Sequence, residues 1–282
     1  MVPVGFILRD PKDLRAAVRR WRAEGHSTAL IPTMGALHAG HLELVHAAFQ
    51  RAERAAVSIF VNPMQFGRAE DLSRYPRDET ADGHLLVRAG VNLVFAPAFE
   101  DVYPPDFATV VSLAGPARVG LEDKFRPQFF DGVATVVAKL LILAECDYAL
   151  FGEKDYQQLK VVMQMTRDLN IPTEIVPVPT VREQDGLAMS SRNAYLNADQ
   201  REMAPELSKT LREAVKSIRS GTEFDQAAVT AARRLETLGF EVDYVEVRNA
   251  DTLEPVRLPV EPMRILAAAR LGATRLIDNM AV

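Results

Sequence analysis

Cysteine is almost absent from this sequence, Cys146 being the sole one among 282 residues. A disulfide framework within the chain and a thiolate metal cluster are therefore excluded. Cys146 follows an apolar run and reads as a plain buried residue. A basic excess is lacking too: 33 Lys and Arg stand against 38 Asp and Glu, for a net charge of −5. A general nucleic-acid binder needs a basic face to displace counterions from phosphates, so no nucleic-acid partner is expected. That leaves room for a local cationic pocket serving one nucleotide. Long uncharged apolar runs are missing as well. The most apolar stretch, residues 133–151, carries Lys139, Glu145 and Asp147, and a spanning helix does not tolerate that charge. Residues 1–21 are interrupted by Arg9, Asp10, Lys12 and Asp13 and lack the apolar core of a secretory signal. No membrane partner is expected, and the cytoplasm is the default location. Neither G-x-G-x-x-G nor G-x-x-x-x-G-K-S/T occurs, so both familiar nucleotide cradles are absent.

What is present is globular: 48% hydrophobic and 25% charged residues, enough to bury a core without staples. Strand-like runs at 28–32, 55–61, 91–96, 148–151 and 174–178 alternate with helical patterns. The helices are read from about 42 to 54, then at 78–89, 131–144 and 155–169. Such alternation predicts an α/β fold, a Rossmann-like, mostly parallel sheet with helices on both faces. A ligand site is then expected beyond the carboxyl ends of the strands. From about residue 199 the pattern changes to two helices, 199–219 and 225–238, with Gly239 as a cap for the second. Strands at 242–247, 264–269 and 275–278 follow. The chain thus divides into a nucleotide- and substrate-binding domain, 1–180, and a smaller α+β domain, 181–282.

Chemistry-bearing residues gather where strands end. His38 and His41, separated by Ala39 and Gly40, sit where the first of these strands feeds a helix. A helix start offers free backbone N–H groups and the positive end of the dipole, a setting for phosphate. Gly40 would let a nucleotide approach the backbone closely, and two imidazoles can donate hydrogen bonds as charge builds in an adenylyl transfer. After the 148–151 strand comes Gly152-Glu153-Lys154-Asp155-Tyr156-Gln157-Gln158. There Lys154 can meet a phosphate as a point charge, and Asp155 either accepts from ribose hydroxyls or caps the helix. Met189-Ser190-Ser191-Arg192 puts two hydroxyls and a guanidinium in one compact anion-binding loop. Asn62 and Gln65, in Asn62-Pro63-Met64-Gln65-Phe66, supply neutral amides suited to a substrate with hydroxyl and carboxylate groups. His26, His46 and His84 have no comparable setting and read as structural or surface residues. Spacing alone leaves open an adenylyltransferase with a dinucleotide product and a nucleotide-binding regulatory protein without turnover.

Four segments in order resemble the motifs of the pantothenate synthetases. They are Pro32-Thr-Met-Gly-Ala-Leu-His-Ala-Gly-His41, Phe60-Val-Asn-Pro-Met-Gln-Phe66, Phe151-Gly-Glu-Lys-Asp-Tyr-Gln-Gln158 and Asp185-Gly-Leu-Ala-Met-Ser-Ser-Arg-Asn193. Arg275-Leu-Ile-Asp-Asn279 extends the likeness to the C-terminus. A lone H-x-G-H is shared with many nucleotidyl transferases; four motifs in register are specific. The resemblance implies a Rossmann-like domain with a C-terminal lid, a homodimer and a place in the coenzyme A pathway. It also implies ATP-dependent condensation of (R)-pantoate with β-alanine to pantothenate, AMP and pyrophosphate, through a pantoyl adenylate, with Mg2+ required. ATP contacts are implied at Met34, Gly35, Ala36, Leu37, His38, Ala39, Gly40 and His41. Further ones are implied at Gly152, Glu153, Lys154, Asp155, Val181, Met189, Ser190, Ser191 and Arg192. Gln65 and Gln158 would hold pantoate, with Asn62 at the same edge. His41 would be the general acid, with His38 beside it on the phosphates and with Lys154, Ser190, Ser191 and Arg192 stabilising charge. No protein ligand to Mg2+ is assigned. One segment departs from the family: Gln128 and Phe129 stand where Arg-Pro-Gly-His-Phe is common.

Overall fold

The structure, a computed structural model, describes residues 5–67, 72, 73, 75–256 and 262–282. The chain runs β1 (Ile7–Leu8), α1 (Pro11–Ala23), β2 (Thr28–Thr33), α2 (Ala39–Phe49), β3 (Arg54–Ile59), α3 (Glu79–Arg88) and β4 (Leu93–Phe95). Two short helices, α4 (Phe99–Val102) and α5 (Glu122–Phe125), lead to α6 (Phe129–Ala144), β5 (Tyr148–Gly152), α7 (Tyr156–Asp168) and β6 (Glu174–Val178). The remainder is α8 (Ala198–Met203), α9 (Glu206–Arg219), α10 (Phe224–Thr237), β7 (Glu241–Asn249), β8 (Met263–Leu271) and β9 (Thr274–Ala281).

β1 to β6 form one parallel sheet in the order β1-β4-β3-β2-β5-β6. Because side chains alternate along a strand, Leu30 joins one core with α1, α6 and α7, while Ala29 and Ile31 join another with α2 and α3. Both faces of the sheet are thus covered, which explains why its strands read as continuous apolar runs rather than alternating ones. The strand order reverses between β2 and β5. A crevice opens beyond their carboxyl ends, at the topological switch point.

β7, β8 and β9 make a three-stranded antiparallel sheet. One face carries Val245, Val247, Ile265 and Ala267 against Leu207, Leu211, Ala231 and Leu235 of α9 and α10. The other face turns Tyr244 and Leu266 toward the core of the parallel unit. This second contact holds the smaller sheet over the crevice.

Several elements differ from expectation. The charges at 10–13 belong to the start of α1, a helix absent from the sequence expectation: Asp10 accepts from the Lys12 N–H at 2.7 Å and Pro11 takes the first helical position. Leu14, Val18 and Trp21 then form its buried stripe. The helix expected to run to residue 54 stops at Phe49, and Arg54 already begins β3. The single helix expected at 199–219 is two, because Pro205 cannot continue α8 and instead starts α9. Cys146 is buried, and burial pushes its thiol up to about 12.

Candidate active site

A cleft of about 1040 Å3 lies between the two sheets at the switch point. Its walls bring together Met34, His38, Gly40, His41, Gln65, Gly152, Lys154, Asp155, Gln158, Val181, Met189, Ser190, Ser191 and Arg192. Asn62 reaches it too, whereas Gly35, Ala36, Leu37, Ala39 and Glu153 stand behind the wall.

The loop after β2 is held from beneath. Gly35 (φ +80°) and Ala36 (φ +51°) both take the left-handed conformation, and a side chain on Gly35 would press on Asp82 Oδ2 at 3.0 Å. The Asp82 carboxylate, from α3, accepts the N–H groups of Ala36 (2.9 Å) and Leu37 (2.8 Å). Burial raises the pKa of Asp82 and those two hydrogen bonds oppose the rise. Asp82 is a structural anchor that sequence reasoning missed, since one carboxylate inside a helical pattern carries no signal.

His38 is the N-cap of α2. The Gly40 N–H donates to His38 Nδ1 (3.1 Å) and the His38 N–H donates to His41 Nδ1 (3.2 Å), while the rings lie 4.1 Å apart. Each neutral imidazole must then carry its proton on Nε2, leaving that N–H as a donor. Burial, followed by the charge of Lys154, depresses His38 to about 4. Burial, followed by His38 and Lys154, depresses His41 to about 3. Both rings are therefore neutral hydrogen-bond donors at pH 7.

One expectation changes here. The amides of Ala36, Leu37, His38, Gly40 and His41 are all engaged within the protein, so the helix start offers imidazoles in place of a row of free N–H groups. Gly40, which lines the cleft, also makes room for the His38 ring, which a Cβ there would meet at 2.9 Å.

The turn after β2's neighbour β3 holds the amides. Asn62, 1% exposed, donates to Gln65 Oε1 (3.1 Å) and the Gly132 carbonyl (3.0 Å). It accepts from the Met64 N–H (3.3 Å) and the Tyr103 hydroxyl (3.0 Å). The Asn62 amide thus orients Gln65, and Asn62 itself lines the cleft. Gly132 of α6 makes this possible, because a Cβ there would collide with the Met64 carbonyl and lie 2.8 Å from Gln65 N. Gln158 lines the cleft, while its neighbour Gln157 is buried and bonds to Glu122 N, Pro116 O and Asp123. Phe129 also lines the cleft, and the Arg126 guanidinium stacks on its ring at 3.6 Å.

The smaller unit contributes the opposite wall. Ser191 donates to the Ala36 carbonyl (3.0 Å), joining its loop to the one after β2. Ser190 accepts from the Arg192 N–H (3.3 Å), and Asn193 donates to Glu183 and the Ala188 carbonyl. Asp155 makes no side-chain cap of α7; its carboxylate lies 3.5 Å from Lys154 Nζ. The Glu153 carboxylate is taken by Arg264 (2.9 Å) instead of facing the cleft. His26 pairs with Glu53 at 3.4 Å, His46 is exposed and His84 half-buried, all outside the cleft.

This is a doubly wound α/β protein whose switch-point crevice, roofed by a second unit, is lined by two neutral imidazoles, a lysine, two serines and an arginine. The profile of the pantoate–β-alanine ligases matches residues 6–281, and the chain belongs to that family. It is a ligase. A pantothenate synthetase of Rhodopseudomonas palustris is 53% identical over 98% of both chains, and one of Caulobacter vibrioides is 51% identical over 98% of both. The crystal structure of a Thermus thermophilus pantothenate synthetase superposes with TM-score 0.92 at 44% identity, covering 97% of this chain and 98% of that one. A Francisella tularensis pantoate–β-alanine ligase, solved with beta-gamma ATP and β-alanine, superposes with TM-score 0.82 at 31% identity, over 98% and 97% of the chains.

Proposed function

We propose that this ligase activates (R)-pantoate with Mg-ATP as pantoyl adenylate, then transfers the pantoyl group to β-alanine. A pantoate carboxylate oxygen bonds to the α-phosphorus while the bond to the bridging oxygen breaks, and pyrophosphate leaves. The β-alanine amine then attacks the acyl carbon, sheds a proton and displaces AMP, giving pantothenate. The convergence of His38, His41, Lys154, Ser190, Ser191 and Arg192 on one cleft carries this reading.

The two Nε2–H groups and the cations would meet phosphate oxygens as charge develops, where one such donor is worth about 10²–10³ in rate. His41 enters as a neutral donor. The charge of an arriving triphosphate raises its pKa toward the range in which it can act as the general acid. Gln65 and Gln158 would take the hydroxyl and carboxylate groups of pantoate, and Met34 through His41, residues 152–155, Val181 and residues 189–192 would surround ATP. Mg2+ would be carried mainly by phosphate oxygens and water, with no protein ligand assigned. When bound, Mg2+ would neutralise phosphate charge.

Residues 181–282 would act as a lid domain closing on 1–180, since an acyl adenylate must be kept from water. No helix among the described residues is long and apolar enough to cross a membrane. We read the enzyme as a cytoplasmic homodimer serving coenzyme A synthesis.

The test is release of AMP and pyrophosphate from Mg-ATP and pantoate, with and without β-alanine. Multiple turnovers yielding AMP only with both acids are expected. Nucleotide binding without turnover in any combination would overturn the proposal, and AMP retained in a dinucleotide product would point to an adenylyltransferase.

A further inference from the structure

Asn279 of β9 is 3% exposed and reaches out of its own sheet into the parallel unit. Its Nδ2 donates to the carbonyls of Glu153 (2.9 Å) and Lys154 (2.9 Å), two of the three residues of the turn that carries Lys154 into the cleft. Its Oδ1 accepts from Arg264 Nε (2.5 Å), which fixes the amide in the donating orientation. Arg264 is itself tied down, donating to Glu153 Oε2 (2.9 Å) and stacking on the Tyr156 ring at 3.8 Å. Thus every polar atom of the Asn279 amide is used, and two of its bonds end on the backbone of the lysine's own turn. A surface contact between two units would not need such a set. The adjacent Asp278 pairs bidentately with Arg182 (2.7 and 2.9 Å), at the root of the hairpin leading to Ser190.

We propose that Asn279, locked by Arg264, is a positioning residue for Lys154, setting the lysine's turn at the height where its ammonium meets the substrate phosphates. The inference rests on the reading that Lys154 serves those phosphates. The last strand of the smaller sheet thereby places a cleft residue belonging to the larger one. Docking of that sheet and placement of the lysine are then one event. An Asn side chain suits the task because it offers two donors to adjacent carbonyls and one acceptor to Arg264.

The experiment is a double-mutant cycle on single-turnover pyrophosphate release from Mg-ATP and pantoate, using the full-length protein as wild type, Lys154→Ala, Asn279→Ala and the pair. Asn279→Ala is expected to slow this step by about tenfold to a hundredfold, the scale of a small misplacement. The KM for β-alanine in the complete reaction should stay unchanged. On top of Lys154→Ala the same substitution should add almost nothing, since the residue it positions is gone. Losses that multiply would mean general loosening of the fold, and overturn the proposal. So would a wild-type rate for Asn279→Ala. Should that variant fail to fold, Arg264→Lys keeps the charge and loses the fork that orients Asn279; it must then show the same non-additivity. A wild-type rate for Lys154→Ala itself would instead sink the phosphate role of Lys154, and the positioning with it.

Discussion

His41 shows how burial changes what a residue type can do. In water an imidazole titrates near pH 6.5, but in this cleft His38 is depressed to about 4 and His41 to about 3. The unfolded chain therefore binds these protons at a pH where the native state does not. Stability from the pair is fully present above pH 6.5 and is lost as pH falls through 6.5 toward 4 and then 3, at up to about 1.4 kcal/mol per pH unit for each ring. His41→Ala removes one of the two. That variant should give no detectable pyrophosphate release from ATP and pantoate at pH 7, and its denaturation midpoint should decline less steeply than wild type between pH 6.5 and 4. Retained pyrophosphate release would refute the catalytic part, and an unchanged acid slope the electrostatic part.

A single helix can aim a loop on a different strand. α6 presses its Gly132 onto the turn that carries Gln65, and the Gly132 carbonyl is one of the four partners of Asn62. A Cβ at position 132 has no room unless that turn moves. Gly132→Ala should therefore raise the KM for pantoate by about tenfold or more, the equivalent of one hydrogen bond of roughly 1.5 kcal/mol. The KM for β-alanine should change far less, and helix content should be unaltered, since Ala favours helix. Steady-state kinetics with each substrate varied in turn, together with circular dichroism, decides this. An unchanged pantoate KM would mean that Gln65 does not depend on the turn's position. The same helix shows the limit of pattern reading. Its apolar period marked a helix from 131, yet it begins at Phe129, whose ring supports Arg126 in place of the histidine common in the family.

At the scale of the whole molecule, the smaller sheet is fastened by a buried ion cluster. Glu122 of α5, 6% exposed, accepts two hydrogen bonds from Arg275 of β9 (2.7 and 2.9 Å) and one from the Tyr244 hydroxyl of β7 (2.9 Å). Burial alone would raise the Glu122 pKa, but Arg275, Arg126 and Tyr244 more than offset it and hold the carboxyl below its ordinary value. Asp243 takes the remaining side of Arg275 (2.6 Å). Removing one partner strands a buried charge. Glu122→Gln should cost on the order of 3 kcal/mol in urea unfolding, against the few tenths typical of a surface pair. A loss within about 0.5 kcal/mol would show that the cluster fastens nothing.

The layered α/β plan, the change of character near residue 199 and the loops that meet at the cleft are legible in the linear chain. Those features rest on local periodicity and on motifs that lie within about ten residues of chain, which a linear reading can see. Tertiary structure alone decided that Asn62 serves Gln65, that Gly40 accommodates an imidazole, and that the helix-start amides are already engaged. It also decided the long-range partnerships: Asp82 with the loop after β2, Glu122 with Arg275, Asn279 with the turn of Lys154. Burial and hydrogen-bond saturation depend on what packs against a residue from distant strands, and no local pattern encodes that.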